Sequence, residues 1–179
     1  MTFTNVSLDP QNLPALAEAP LEPVSPRLAP CQAVLRSLHW LLLTALAAFM
    51  PLMIAEIAAW QPWPAVGVGL LGVISVVLGW LEARRRTYGL RQHDLIYRRG
   101  LLVQSTQVLP LARLQHIETS SNPVERAFGL VRLVCFTAGG RGADMVLEGL
   151  TADRAAAIRQ YLLARLERAE PEPTGADAP

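Results

Sequence analysis

Residues able to carry chemistry are scarce in this chain of 179 amino acids. Its two cysteines, Cys31 and Cys135, and three histidines, His39, His93 and His116, lie on separate stretches with no metal-ligand spacing, so no metal site is expected. The two thiols fall in different regions of a chain expected to face the cytoplasm, which argues against a structural disulfide. Cys135 alternates with the apolar positions of its segment and reads as a small buried hydrophobe rather than a nucleophile. Ser120 and Ser121 are not expected to belong to a catalytic triad, and nothing marks Glu118 and Glu125 as a paired acid and base. No cofactor and no enzymatic activity are expected. Residues 1–30 hold six prolines and no apolar run, so they are not expected to act as a secretory leader. LAPC, Leu28 to Cys31, lacks the upstream hydrophobic region that a lipoprotein cleavage site needs.

Charge is missing where the chain is most apolar. Leu38 to Ala59 carries only His39 and Glu56 as ionisable groups, and its 22 residues would rise about 33 Å as a helix, one bilayer crossing. Trp63 to Trp80 has no charged residue and supplies a second span. The short link between them makes the pair a hairpin, with spans at about 38–59 and 63–81 inside a membrane region 35–82. All four tryptophans fall near span ends, Trp40 and Trp80 toward one side and Trp60 and Trp63 toward the other, as indole favours the headgroup level. A buried helical hairpin in a soluble protein is the alternative, but such helices keep a polar face.

The second span contains GVGLLG, Gly67 to Gly72, which fits the G-x-G-x-x-G spacing of dinucleotide-binding turns. That fingerprint needs a preceding strand and a soluble βαβ unit, and neither is present. The small residues Ala65/Gly69 and Ser75/Gly79 instead have the i, i+4 spacing that lets membrane helices approach closely.

Orientation follows from arginine. Arg36 precedes the first span and Arg84, Arg85 and Arg86 follow the second, while the intervening turn has no positive residue; both termini are expected in the cytoplasm. Glu56 is the one carboxylate within a span. It stands about one turn from Trp60, so reaching headgroups or water is its expected role. The ends, residues 1–34 and 170–179, read as disordered tails, the first rich in proline and the second acidic.

Residues 84–168 hold 14 arginines against seven acids, although the whole chain is only +1. A basic body beneath anionic lipid is attracted to it, and Arg84, Arg85 and Arg86 are candidate headgroup contacts; fixing topology is the competing explanation for the same triplet. Nucleic acid is not expected, because the arginines are not interleaved with aromatics and no reader motif occurs.

The pattern of this segment is mainly β. LIYRRGLL (Leu95 to Leu102) reads as two strands meeting at Gly100, and STQVLPLARLQHIETS (Ser105 to Ser120) continues in extended form with Pro110 at an edge or bulge. NPVERAFG, Asn122 to Gly129, reads as a turn or short helix closed by glycine. VRLVCFT places Val131, Leu133, Cys135 and Thr137 on one face, and MVLEGL returns after a glycine-rich hairpin. A terminal helix follows, with Thr151 as N-cap and Ile158, Leu162, Leu166 and Ala169 as its apolar stripe.

The order Tyr88-x-Leu90, Arg99-Gly100, PLARLQHI (Pro110 to Ile117), NPVERAFGL (Asn122 to Leu130), LVCFTAGG (Leu133 to Gly140) and EGL (Glu148 to Leu150) resembles the bacterial pleckstrin-homology (PH) domain proteins of the YdbS-like, membrane-flanked type. The resemblance covers residues 35–168. It implies two antiparallel sheets of about seven strands, capped by the C-terminal helix, as a cytoplasmic domain at 83–169. Asn122 stands where relatives usually have glycine. The resemblance also implies no known enzymatic activity, and a membrane-protein partner in the form of a longer relative with repeated copies of the domain.

Two functions are compatible with this pattern. The first is a noncatalytic inner-membrane module that binds a protein partner, anionic lipid or both. The second is a subunit of a membrane enzyme or transport complex that uses Glu56 and the juxtamembrane arginines.

Overall fold

The computed structural model describes residues 21–53, 62–137 and 144–169. Glu56, Trp60, the tip of the glycine-rich hairpin and both extreme tails lie outside the described residues.

Strand β1 (Glu22–Pro23) leads into helix α1 (Leu28–Met53), which pairs with helix α2 (Trp63–Arg85). Both helices are long and apolar enough to cross a membrane. Their outer faces are bare: Leu41, Leu42 and Leu46 of α1 and Trp63, Leu70 and Val73 of α2 are each more than 60% exposed. A helical hairpin in a water-soluble core would bury that surface.

Glycine sets how closely the pair packs. A Cβ on Gly72 would lie 2.9 Å from Cβ of Trp40, and one on Gly79 would meet the guanidinium of Arg36. Two glycines of the dinucleotide-like spacing, Gly69 and Gly72, thus face α1 at Thr44 and Trp40. The Trp40 side chain lies against Gly72, one turn along α1 from Arg36, which lies against Gly79.

Beyond α2 the chain forms β2 (Thr87–Leu90), β3 (Asp94–Arg99) and β4 (Ser105–Pro110), then a 3-10 turn at Leu111–Arg113. Next come β5 (Leu114–Ser120), α3 (Pro123–Ala127), β6 (Leu130–Thr137), β7 (Met145–Thr151) and α4 (Ala152–Ala169). One sheet has the order β1-β2-β3-β4 and the other β5-β6-β7, with every pairing antiparallel. The fold is thus two apolar helices and a seven-stranded PH-like domain with a terminal helix, β1 preceding the helices and six strands following them. Ala155, Ile158 and Leu162 of α4 are buried in its core beside Leu95, Tyr97, Leu133, Cys135 and Leu147.

Four local expectations are corrected. Residues 21–34 are not a disordered tail: Glu22 and Pro23 pair with Tyr88 and Thr87, and Leu28, Ala29 and Cys31 are buried in the core of the β domain. Apolar residues too few for a span are enough to fill a gap between two sheets. The domain therefore takes residues from both sides of the hairpin, and the first helix begins at Leu28 rather than near Leu38. Pro110 does lie on an edge strand, at the end of β4, but the 3-10 turn after it splits what reads as one extended run. Finally, a register shift between Val131 and Leu133 interrupts the alternation, so Leu130, Leu133 and Cys135 are buried while Val131 is half-buried.

Candidate functional site

The site of interest is the junction where both helices enter the β domain. Arg86 follows the last turn of α2, and its extended backbone (φ −67°, ψ 133°) turns the chain from helix into β2. Its side chain is directed inward and only 9% exposed. Nε donates to Glu82 Oε1 at 2.8 Å and Nη2 to Glu82 Oε2 at 2.7 Å, a two-pronged pair one helical turn apart. Nη1 binds Glu148 of β7 and reaches the Tyr97 hydroxyl of β3 at 3.4 Å. With its amide oxygen turned toward the guanidinium, Gln32 of α1 accepts from Nη1 and Nη2 at 3.2 Å. One cation thus joins both helices to both sheets.

Burial opposes the charge on Arg86, but the hydrogen bonds to Glu82 and the fields of Tyr97, Glu82 and Glu148 outweigh it, holding the guanidinium above its ordinary pKa. Burial raises the Tyr97 hydroxyl, with the adjacent Arg86 charge opposing that shift. Arg86 is therefore removed from the candidate headgroup contacts: it is enclosed and paired, because its place after α2 aims it into the domain. Arg84 and Arg85 are exposed at the end of α2.

The N-terminal segment makes the second fastening. Val24 N–H donates to Arg86 O at 3.2 Å and Ser25 N–H to Gly149 O at 2.8 Å, bridging the sheets. Gly149 has φ +82°, and a Cβ there would lie 2.7 Å from Cδ2 of Leu28. At the sheet edge, the Tyr88 hydroxyl donates to Glu22 at 3.0 Å, Arg154 Nε donates to that hydroxyl at 2.9 Å, and Arg154 pairs with Glu22. The bonds from Arg154 and Tyr88 hold the Glu22 carboxyl below its ordinary pKa.

Beside Arg86 lies an open cleft of about 440 Å³, lined by Arg36, Leu78, Glu82, Arg99 and Leu102 among others. Its floor is the end of α2 and its lip is the β3–β4 turn, Gly100 to Gln104. Glu82 accepts from Gly100 N–H at 3.2 Å, which fixes the root of that turn to the helix. Gly100 has φ +111°, a conformation that disfavours any side chain. Arg36 donates to Ser75 O at 3.3 Å, so it spans α1 and α2 at the cleft.

Other residues singled out above make local contacts. Asn122 Oδ1 accepts from Glu125 N–H at 2.7 Å while Glu125 Oε2 accepts from Asn122 N–H at 2.9 Å, a reciprocal cap on α3. Asn122 has φ −80°, so asparagine serves here as a cap and not as a left-handed turn residue. Glu125 also pairs with Arg132 at 2.8 Å. Glu118 contacts His116 at 3.2 Å on the exposed face of β5. Among the described residues, no three His, Cys, Asp or Glu side chains cluster as a metal site.

Both cysteines are free and buried. Burial pushes the Cys135 thiol up to about 11. Because its folded pKa is raised, the contribution of the protonated thiol to stability is full below the ordinary thiol value of about 8.5 and is lost as pH rises through 11. Neither cysteine is expected to react with iodoacetamide at pH 8 until the protein is unfolded. Mass spectrometry of the alkylated chain checks this, and rapid native modification at Cys135 would contradict the buried placement.

Outside this molecule the same organisation recurs. A family model described as Bacterial PH domain matches residues 27–166. UPF0699 transmembrane protein YdbT of Bacillus subtilis (strain 168) is 27% identical over 139 residues, covering 75% of this chain and 28% of YdbT. UPF0699 transmembrane protein YdbS of the same organism is 24% identical over 125 residues, covering 65% of this chain and 79% of YdbS. The chain therefore spans little more than a quarter of the length of YdbT and most of that of YdbS. No solved structure matches it significantly. The matched region opens at Arg27, where the N-terminal segment enters the domain, runs through both apolar helices and closes within α4. Helices bare of any covering, β sheets fastened to their ends and relatives that are transmembrane proteins meet in one conclusion: the chain is a membrane protein of the bacterial PH domain family.

Proposed function

We propose that this protein is a noncatalytic binding module of the bacterial inner membrane. Its hairpin crosses the bilayer with both ends in the cytoplasm and holds the PH-like domain against the inner leaflet. There the domain engages anionic lipid and docks a membrane-protein partner, for which a longer relative with repeated PH-like domains is the favoured candidate. The arginines support the sidedness, since Arg36, Arg84 and Arg85 stand at the domain end of the hairpin and the opposite turn carries no cation.

The observation that carries the proposal is the Arg86 junction. A tethered domain needing freedom to search would sit on a flexible linker, whereas here no linker separates α2 from β2, and one buried guanidinium holds helix and sheets together. Such a domain has a fixed face toward the lipid and a fixed face toward partners. Because Glu22 to Cys31 belongs to the β domain, tests require the full chain rather than residues 84–169 alone.

Sidedness is tested with a Gln92→Cys variant, which places the only exposed thiol at the β2–β3 turn. A membrane-impermeant maleimide is expected to label it in inverted inner-membrane vesicles and not in intact spheroplasts; the reverse pattern overturns the orientation. Crosslinking in native membranes is expected to trap a discrete larger species, and recovery of the monomer alone counts against the partner.

A further inference from the structure

The β3–β4 turn has an apolar tip that its position explains. Leu102 is 88% exposed and Val103 83% exposed, the two most exposed large hydrophobic residues among those described. An isolated domain in water gains nothing from such a tip. The turn is not isolated, however: its root is fixed to Glu82 of α2, and its tip lines a cleft together with Leu78 and Gly79, one helical turn nearer the bilayer. Leu78 and Leu81 belong to the bare apolar surface of the hairpin, so the tip continues that surface sideways from the helix.

Cations surround this apolar extension. Arg36 and Arg99 line the same cleft, and Arg98 is exposed on the strand leading into the turn. Trp80 adjoins Gly79 and marks the headgroup level of α2. Guanidiniums at that depth beside leucine and valine fit one occupant, a phospholipid whose phosphate meets arginine and whose acyl chains meet the tip.

We infer that the Gly100–Gln104 turn is a membrane wedge: Leu102 and Val103 enter the leaflet crossed by the protein's own hairpin, and the phosphate of a lipid headgroup is held in the cleft between Arg36 and Arg99. The inference rests on the proposed seating of the PH-like domain against the bilayer and names the part that makes contact. Gly100 makes the turn possible, and the Glu82 hydrogen bond sets its direction. The wedge requires no opening of the domain, since both apolar side chains already lie outside the core.

The test uses the full chain in phospholipid nanodiscs containing lipids brominated near the headgroup end of their acyl chains. Native thiols are buried, so a fluorophore can be placed singly at Leu102→Cys, at Gln92→Cys on the opposite end of β3, or at Leu46→Cys on the bare face of α1. Bromine is expected to quench the Leu102 and Leu46 labels about twofold or more and to leave the Gln92 label unchanged. Adding Arg99→Gln is expected to reduce quenching at Leu102 but not at Leu46. Quenching at Leu46 without quenching at Leu102 overturns the wedge while leaving the hairpin in the bilayer. Loss of quenching at both positions overturns the membrane seating itself. A Leu102 label that shifts to the blue without bromine quenching indicates a protein occupant and also overturns the wedge.

Discussion

Arg86→Met is expected to destabilise the protein by about 3–5 kcal/mol, the range for removing one partner from a buried ion pair. The loss comes from what remains. Glu82 and Glu148 converge on the same guanidinium from a helix and a strand, and their side chains are 16% and 28% exposed. Without the cation, two carboxylates face each other in a partly closed space, with Tyr97 and Gln32 also deprived of a partner. Equilibrium unfolding of the full chain in detergent micelles, followed through the β domain, measures the effect. The triple variant Arg86→Met, Glu82→Gln, Glu148→Gln is expected to recover more than half of the loss, because neutral amides carry no repulsion and less desolvation cost. A deficit below about 1 kcal/mol in the single variant would mean that both acids reach water freely, as in an exposed pair.

The second large effect is expected at Gly149. Gly149→Ala should cost about 2–4 kcal/mol, from a left-handed backbone that alanine tolerates poorly and from overlap with Leu28. The two causes separate in a double-variant cycle. In a Leu28→Ala background the contacts with Cδ2 and Cγ are removed while that with Cβ at 3.2 Å remains, so the cost falls toward the backbone part, about 1–2 kcal/mol. Full additivity of the two substitutions, measured in the same detergent unfolding experiment, would show that Leu28 does not sit over Gly149. Leu28→Ala alone is expected to be costly as well, since a buried leucine with a 2% exposed side is removed from the seam between the sheets.

Much of this architecture is legible in the sequence, and the exceptions have physical causes. Spans without charge must be helical and must avoid water, so 63–81 predicts α2 closely. The glycines at 67, 69 and 72 could not belong to a soluble nucleotide site with no strand before them. Strand alternation and the Thr151 cap likewise locate β7 and α4. Residues 21–34 are harder, because proline and a few scattered apolar groups look alike whether a segment is free or wedged between sheets; its order comes from contacts with β2 and β7, far away in the chain.

At the junction, the Glu82-x-x-x-Arg86 spacing is visible as an i, i+4 pair, which identifies one partner of Arg86. Glu148, Tyr97 and Gln32 carry no comparable signal, since only the fold brings them together. Basic triplets after a span are ordinarily topological, and composition cannot tell that the third arginine turns inward while the first two stay outside. The β3–β4 turn shows the opposite limit. Leu101, Leu102 and Val103 have the composition of a strand, and they are left unpaired because Gly100 turns the backbone away before the ladder can continue.

The interleaving of the domain with the hairpin has a consequence for biogenesis. Glu22 is synthesised before the hairpin, but Arg154, its ion-pair partner, lies 132 positions later in the chain. Residues 21–31 therefore meet all their partners only after two helices and six strands have been made. Only a hairpin that returns to its starting side can bring Leu28 to Gly149. On the proposed topology, a chain whose second helix failed to insert would leave Glu22 and Leu28 without their partners in β2 and β7.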